Sequence, residues 1–429
     1  MARIPAVSVE ENMVRKPREP KPRNIVILCD GTGNELGGAL TQHARDIRIS
    51  NVLKLFRIAQ KGKKQLVYYA QGIGTIGRPN WLTRWSQKME SVIGLATGYG
   101  LDDHVLGAYR FLVENWEEGD RIFLFGFSRG AWTVRVLAGL LHLVGLVRPS
   151  QINLCDNALA TYKRAAKENA LPVAWHFARV MGTRAPTIHF MGCWDTVASV
   201  LVPRSDRMWL PSLETLPYTD ANPAVKIFRH ALALDERRRM FRVAEWQQPQ
   251  EHVPNRFEPG QKIAQDIEQR WFPGVHSDVG GGYPERESAL SKIPLIWMVE
   301  EAKKAGLVIT PATHLHLAYG EPRPGARTSG PMAQHQYVRP SALGMMHNLL
   351  GRAWMPLEIL PKSTRYRETR RHKLFGFYLP LAEPRRMRSE HVIDDSIYCR
   401  KSRLADYVPG AVLPPAPPGS PSCPYDLSP

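Results

Sequence analysis

Long apolar runs are missing from this 429-residue chain. The longest, Val136 to Val147, is about half of what a membrane-spanning helix requires and is interrupted by His142. An integral membrane segment is therefore not expected. The opening stretch MARIPAVSVEENMVRKPREPKPR offers no apolar core of the kind a signal peptide needs. The expected location is the cytoplasm as synthesised, with any export independent of such a signal. Cysteine is scarce: Cys29, Cys155, Cys193, Cys399 and Cys423 are odd in number, widely spread and free of CxxC or short-spaced histidine pairing. That pattern argues against a disulfide scaffold and a structural zinc site, and fits a reducing compartment. No metal or other cofactor is expected. Helix-turn-helix, finger and aromatic single-strand motifs are absent, so nucleic acid is not the expected partner. Internal repeats are absent too.

Acidic residues are in deficit. Against 57 Lys and Arg stand 40 Asp and Glu, a formal charge of +17. A field of that sign favours anionic partners, and peripheral contact with an anionic membrane surface is the form expected of it. Residues 1–23 mix basic residues with proline and read as a flexible arm; residues 408–429 are proline-dense and read as an extended tail. Between them, short β-branched or aromatic runs alternate with helical periodicity, the pattern of a parallel sheet with crossover helices. The expected strands are Asn24–Cys29, Gln65–Ala70, Arg121–Phe127, Thr187–Cys193 and about Ile267–Phe272, and the expected helices are Leu101–Trp116, Arg129–Gly145 and Ser288–Ala305. Residues 24–310 form the expected catalytic domain, with 200–262 an insertion acting as pocket wall or lid. Residues 311–407 are an elaboration packed on the core. Within the latter, Met346, Leu349, Leu350 and Trp354 share one face of an expected helix that Pro356 stops. Apolar segments within 200–262 or 343–360 are candidate walls for an acyl chain.

The segment RIFLFGFSRGAWTVR passes from strand to helix through Gly126-Phe127-Ser128-Arg129-Gly130. A serine on so sharp a turn projects its hydroxyl clear of the sheet, and the small residues on either side let strand and helix approach. The helix points its N-terminus at the hydroxyl, which makes the Arg129 N–H a candidate oxyanion donor. A serine nucleophile needs a base and a group that orients the base. Downstream, Asp195 follows a strand in HFMGCWDTVAS and His276 lies in QRWFPGVHSDVGGGYPE, in the order serine, acid, histidine. These features together indicate an α/β-hydrolase-like fold with Ser128, Asp195 and His276 as the catalytic set. The turn after the first strand, IVILCDGTGNE, offers the N–H of Gly31 or Thr32 as a second oxyanion donor. Asp30 there is a loop-holding residue or a metal ligand, and Asp278 a turn-stabilising aspartate or a contributor to the site.

The strings CDGTGNE, YYAQGIGT, GYGLDDHVLGAYRFL, GFSRGAWTVR, GCWDTVAS, HALALDERRRMF and WFPGVHSDVGGGY occur in order over residues 24–305. Together they resemble the α/β-hydrolase family of formerly unknown function that includes type VI secretion phospholipase effectors. The resemblance implies the same triad, places DGT beside the active site, and implies cleavage of glycerophospholipid esters. The expected function is thus serine-dependent hydrolysis of a lipid ester through an acyl-enzyme. Two other classes compete with it: metal-assisted phosphoester hydrolysis using Asp30, Asp195, His276 and Asp278 as ligands, and a non-catalytic hydrolase-like protein bound to anionic membrane.

Overall fold

The computed structural model describes residues 22–31, 48–72, 100–167, 170–197, 201–203, 211–213, 216–238, 241–254, 260–325, 336–348, 350, 358–359, 362–363, 377–416, 418 and 423. Seven strands build the central sheet: β1 (Asn24–Cys29), β2 (Gln65–Ala70), β3 (Arg121–Phe127), β4 (Ile188–Trp194), β5 (Val225–Ala233), β6 (Asp266–Phe272) and β7 (Val392–Ile393). Their spatial order is β7-β6-β5-β4-β3-β1-β2, and every pairing is parallel. This is an α/β-hydrolase-like sheet.

Strand alternation divides the core in two. Ile25, Ile27, Cys29, Ile122 and Leu124 face one apolar cluster, which helices α2 (Leu101–Asn115) and α3 (Arg129–Leu143) cover. Val26, Leu28, Phe123, Phe125 and Phe127 face the other, under α1 (Asn51–Ile58) and α4 (Ala289–Lys304). Successive side chains of a strand point to opposite faces, and both faces here are buried, which explains why β1 and β3 carry no polar side chain after their first residues, Asn24 and Arg121. Helix α3 buries every residue except His142.

From β1 the chain first adds β2 on one side and then crosses to begin β3 on the other. Such a reversal opens a crevice beyond the carboxyl ends of the strands. The register aligns those ends, with Cys29 opposite Gly126, Phe127 opposite Trp194, and Ala233 opposite Phe272.

Several expectations need correction. The stretch 200–262 is not solely an insertion, because it supplies β5 in the middle of the sheet. Lys226, Arg229 and His230 interrupt its apolar pattern, and Arg229 is accommodated by ion pairs to Asp266 and Glu301. The C-terminal region adds an edge strand, β7, followed by α5 (Asp395–Arg403). The helix expected through Met346 is not present at residues 345–348, which are irregular; Leu349 and Trp354 lie outside the described residues. The His347 N–H and ring are bonded to Asp278 there, which fixes the backbone away from a helix. Finally, Cys399 of α5 and Cys423 of the proline-rich tail form a disulfide, while Cys29, Cys155 and Cys193 are buried thiols. A pair 24 residues apart carries no sequence signature; the docking of the tail brings its two members within 5.3 Å at Cα. Among the described residues no helix is long and apolar enough to cross a membrane.

Candidate functional site

Ser128 joins β3 to α3 with φ 57° and ψ −121°, a conformation that L-residues avoid and that costs roughly 1–3 kcal/mol. Its neighbours make that turn sterically feasible. A Cβ at Gly130 would stand 2.1 Å from the Cys29 carbonyl oxygen, and one at Gly126 would stand 2.4 Å from the Gly130 oxygen. Only glycines permit strand and helix to cross so closely. The Ser128 N–H is held by the Trp194 carbonyl at 3.0 Å, which fixes the turn to the neighbouring strand.

Asp195 follows β4 and is fully buried with φ 36°. Its Oδ2 lies 2.5 Å from His276 Nδ1. The Ala233 N–H donates to Oδ1 at 3.0 Å. Arg385 presents a fork to the same carboxylate, with Nη1 2.5 Å from Oδ1 and Nη2 3.0 Å from Oδ2. Burial alone would push this carboxyl upward, but the charge of Arg385, followed by the His276 contact, outweighs it and holds the group well below the usual carboxylate range.

His276 opens the one-turn helix His276–Gly280 just beyond β6. Its ring lies 4.7 Å from the ring of Phe127, the residue before Ser128, and 4.9 Å from Phe241, which meets it edge-on. The imidazole is thus wedged between two aromatics at the serine turn. Glu236 accepts from the His276 N–H at 3.3 Å and is itself gripped by both arms of Arg238. The Arg238 guanidinium in turn covers the Phe241 ring at 3.6 Å. Burial pushes the Glu236 carboxyl up, and its pairing with Arg238 more than reverses this. Asp235 accepts from the Gly274 N–H at 2.7 Å and from the Tyr407 hydroxyl at 3.0 Å, so the loop that delivers His276 is braced from two sides.

The other expected residues sort as follows. Asp30 accepts from Ser50 Oγ at 2.5 Å, the Tyr69 hydroxyl at 2.8 Å and the Gly31 N–H at 2.6 Å; it ties the turn after β1 to the start of α1 and to β2. Gly31 does lie over the serine, since a Cβ there would be 3.3 Å from Ser128 Cβ. Its N–H donates to the Asp30 carboxylate. Thr32, the other candidate in that turn, is outside the described residues. The Arg129 N–H belongs to the first turn of α3, where no intrahelical carbonyl is available to it. Burial lowers the Arg129 guanidinium to about 10. Asp278 accepts from the Val275 N–H at 3.0 Å and from His347 Nδ1 at 2.7 Å, and so holds the turn around His276. Asp30, Asp195, His276 and Asp278 are not gathered as ligands: among the described residues no group of three or more His, Cys, Asp or Glu could hold a metal ion.

The site therefore contains groups that no motif singles out. Glu236, Arg238 and Phe241 sit in HALALDERRRMF, a string whose only signal is the family resemblance. Arg385 and His347 come from the C-terminal region, where no motif marks them.

Comparison with known proteins places this geometry in a family. The sequence model for the catalytic domain of the type VI secretion phospholipase effectors, Tle1-like, matches residues 23–301. The uncharacterized protein YEL023C of Saccharomyces cerevisiae is 32% identical over 238 residues, which are 51% of this chain and 32% of that protein. Among solved structures, an uncharacterized protein from Pseudomonas aeruginosa aligns at 20% identity and a TM-score of 0.37, covering 68% of this chain and 47% of the other. The Tle1 effector bound to the VgrG spike of the type 6 secretion system aligns at 20% identity and a TM-score of 0.32, covering 64% and 54%. The matched part of this chain thus spans about a third of the yeast protein and about half of each of these two solved chains. The chain belongs to the family of Tle1-like phospholipase effectors of the type VI secretion system, whose catalytic domain it carries.

Proposed function

We propose that the chain is a serine-dependent carboxylic-ester hydrolase acting on glycerophospholipid through an acyl-enzyme on Ser128. The observation that carries the reading is the His276–Asp195 contact, with the same imidazole packed on the residue preceding the strained serine. In this reading Ser128 Oγ attacks the acyl carbonyl while His276 Nε2 takes the hydroxyl proton. Asp195 holds Nδ1 protonated and balances the imidazolium. The Arg129 N–H, at the positive end of α3, donates to the developing oxyanion. Collapse of the tetrahedral intermediate expels the alcohol, which receives its proton from His276. Water then attacks the acyl-enzyme with His276 again as base, releasing the acid and restoring the serine.

Lipid as substrate is supported by the family's phospholipase description. A net charge of +17 suits approach to anionic headgroups. Secretion by a type VI apparatus belongs to the same proposal. The test is to treat wild type and Ser128→Ala with a neutral fluorophosphonate and to assay short-chain esters, lysophospholipids and diacyl phospholipids in parallel. Labelling and phospholipid hydrolysis are expected in wild type and absent from the variant. Labelling that persists in Ser128→Ala, or preference for short soluble esters, overturns the proposal.

A further inference from the structure

Arg385 lies outside the span 23–301 that defines the catalytic domain, yet its charge is enclosed, at 4% exposure. Four of its acceptors belong to the site or its walls: both oxygens of Asp195, the Ala233 carbonyl at 2.9 Å and the Phe241 carbonyl at 2.5 Å. The segment that carries it is secured nearby. Seven residues on, β7 adds to the edge of the sheet beside β6, and Tyr407 reaches Asp235 under the histidine loop.

Two charges in this arrangement depend on each other. Asp195 is fully buried, and a carboxylate there without a cation would be driven towards its neutral form. A neutral Asp195 could no longer accept the Nδ1 proton and fix the working tautomer of His276. The fork of Arg385 prevents this, because a guanidinium binds a carboxylate at two points and keeps its charge throughout the accessible pH range.

We propose that Arg385 is a positioning residue for catalysis: through Asp195 it fixes the tautomer and orientation of His276, so that the C-terminal segment completes the active site. This inference rests on the proposed serine mechanism. It concerns the acid's partner, and does not alter the roles of the three triad groups.

The experiment compares Arg385→Met, Arg385→Lys, Asp195→Asn and the double variant Asp195→Asn/Arg385→Met in the full-length protein. Each is measured for thermal unfolding, for kcat/KM against pH, and for the second-order rate of fluorophosphonate labelling. Arg385→Met is expected to lower kcat/KM about a hundredfold, the usual cost of a misplaced catalytic group, and to move the acid limb of the pH profile. Arg385→Lys retains the charge, so its acid limb is expected to stay near that of wild type. In the Asp195→Asn background, loss of Arg385 is expected to slow labelling by less than about threefold, because its route to His276 has already been cut. The double variant also leaves no buried charge unpaired, which keeps the comparison interpretable should Arg385→Met fold poorly. An equal loss in both backgrounds, or a uniform fall with an unmoved acid limb, overturns the proposal. Wild-type labelling at Ser128 is read separately, so failure of the serine mechanism itself is distinguishable from failure of this inference.

Discussion

Gly280 is where one added methyl group most directly tests how the serine turn and the histidine turn are held together. It ends the one-turn helix that begins with His276, and a Cβ placed there would lie 1.9 Å from the Phe127 ring. Ordinary contact begins near 3.4 Å, so ring and turn would have to separate by about 1.5 Å. The ring has little space for retreat, because Phe127 is 3% exposed. Overpacking of this severity costs about 3 kcal/mol of stability. The catalytic cost is separate. Phe127 touches the His276 ring and immediately precedes Ser128, so moving either turn by ~1 Å changes the hydroxyl–imidazole geometry and slows chemistry about a hundredfold. Gly280→Ala is therefore expected to depress both the melting temperature and the fluorophosphonate labelling rate. Gly260→Ala serves as the control, because nothing lies within 4 Å of a Cβ at that position. Adding Phe127→Leu to Gly280→Ala relieves the clash and should recover part of both losses. Wild-type labelling and a melting temperature within about 1 °C of wild type in Gly280→Ala would refute the packing argument.

Two further outcomes follow from buried groups away from the serine. Burial lowers His391 to about 4 and holds His230 well below its ordinary value, the latter with help from Arg135. A histidine depressed in the folded state binds fewer protons than it does unfolded, so its contribution is complete above the unfolded value of about 6.5 and is lost as pH falls towards the folded one. Urea unfolding should therefore show lower stability at pH 5 than at pH 7, and His391→Gln should reduce that drop; no change in slope would contradict the assignment. For the Cys399–Cys423 bridge, the loop of 24 residues corresponds to about 3 kcal/mol of chain-entropy stabilisation. Cys423→Ser should lower the melting temperature and abolish its sensitivity to reductant, whereas a wild-type melting curve in the variant would mean that the bridge does not form.

The contrast between β3 and β5 explains how much of this site was legible in the sequence. Strands β1, β2 and β3 fall at the boundaries expected of them; β1 and β3 are covered on both faces and have no polar side chain after their first residue, a requirement that is local. The serine turn is legible for the same reason: its two glycines answer to backbone atoms only a few ångströms away. Strand β5 is equally buried at its centre but reads VKIFRHALA, since Arg229 meets Asp266 and Glu301, and His230 meets Thr196, Gln269 and Arg135. A buried polar residue is tolerated only with partners, and these partners lie 34 to 95 residues away for His230, beyond the reach of any periodicity. Arg385 reaches farther than the partners of His230, at 190 residues from the carboxylate it grips. In isolation its neighbourhood, LAEPRRMRSE, reads as a solvated basic run. The distinction is physical: packing against a sheet leaves a mark in the adjacent sequence, whereas charge compensation leaves one only in the pair. A carboxylate buried as deeply as Asp195 is costly without a counter-charge. Its counter-ion is the element of this site least visible in sequence, and β7 and Tyr407 dock the segment that supplies it.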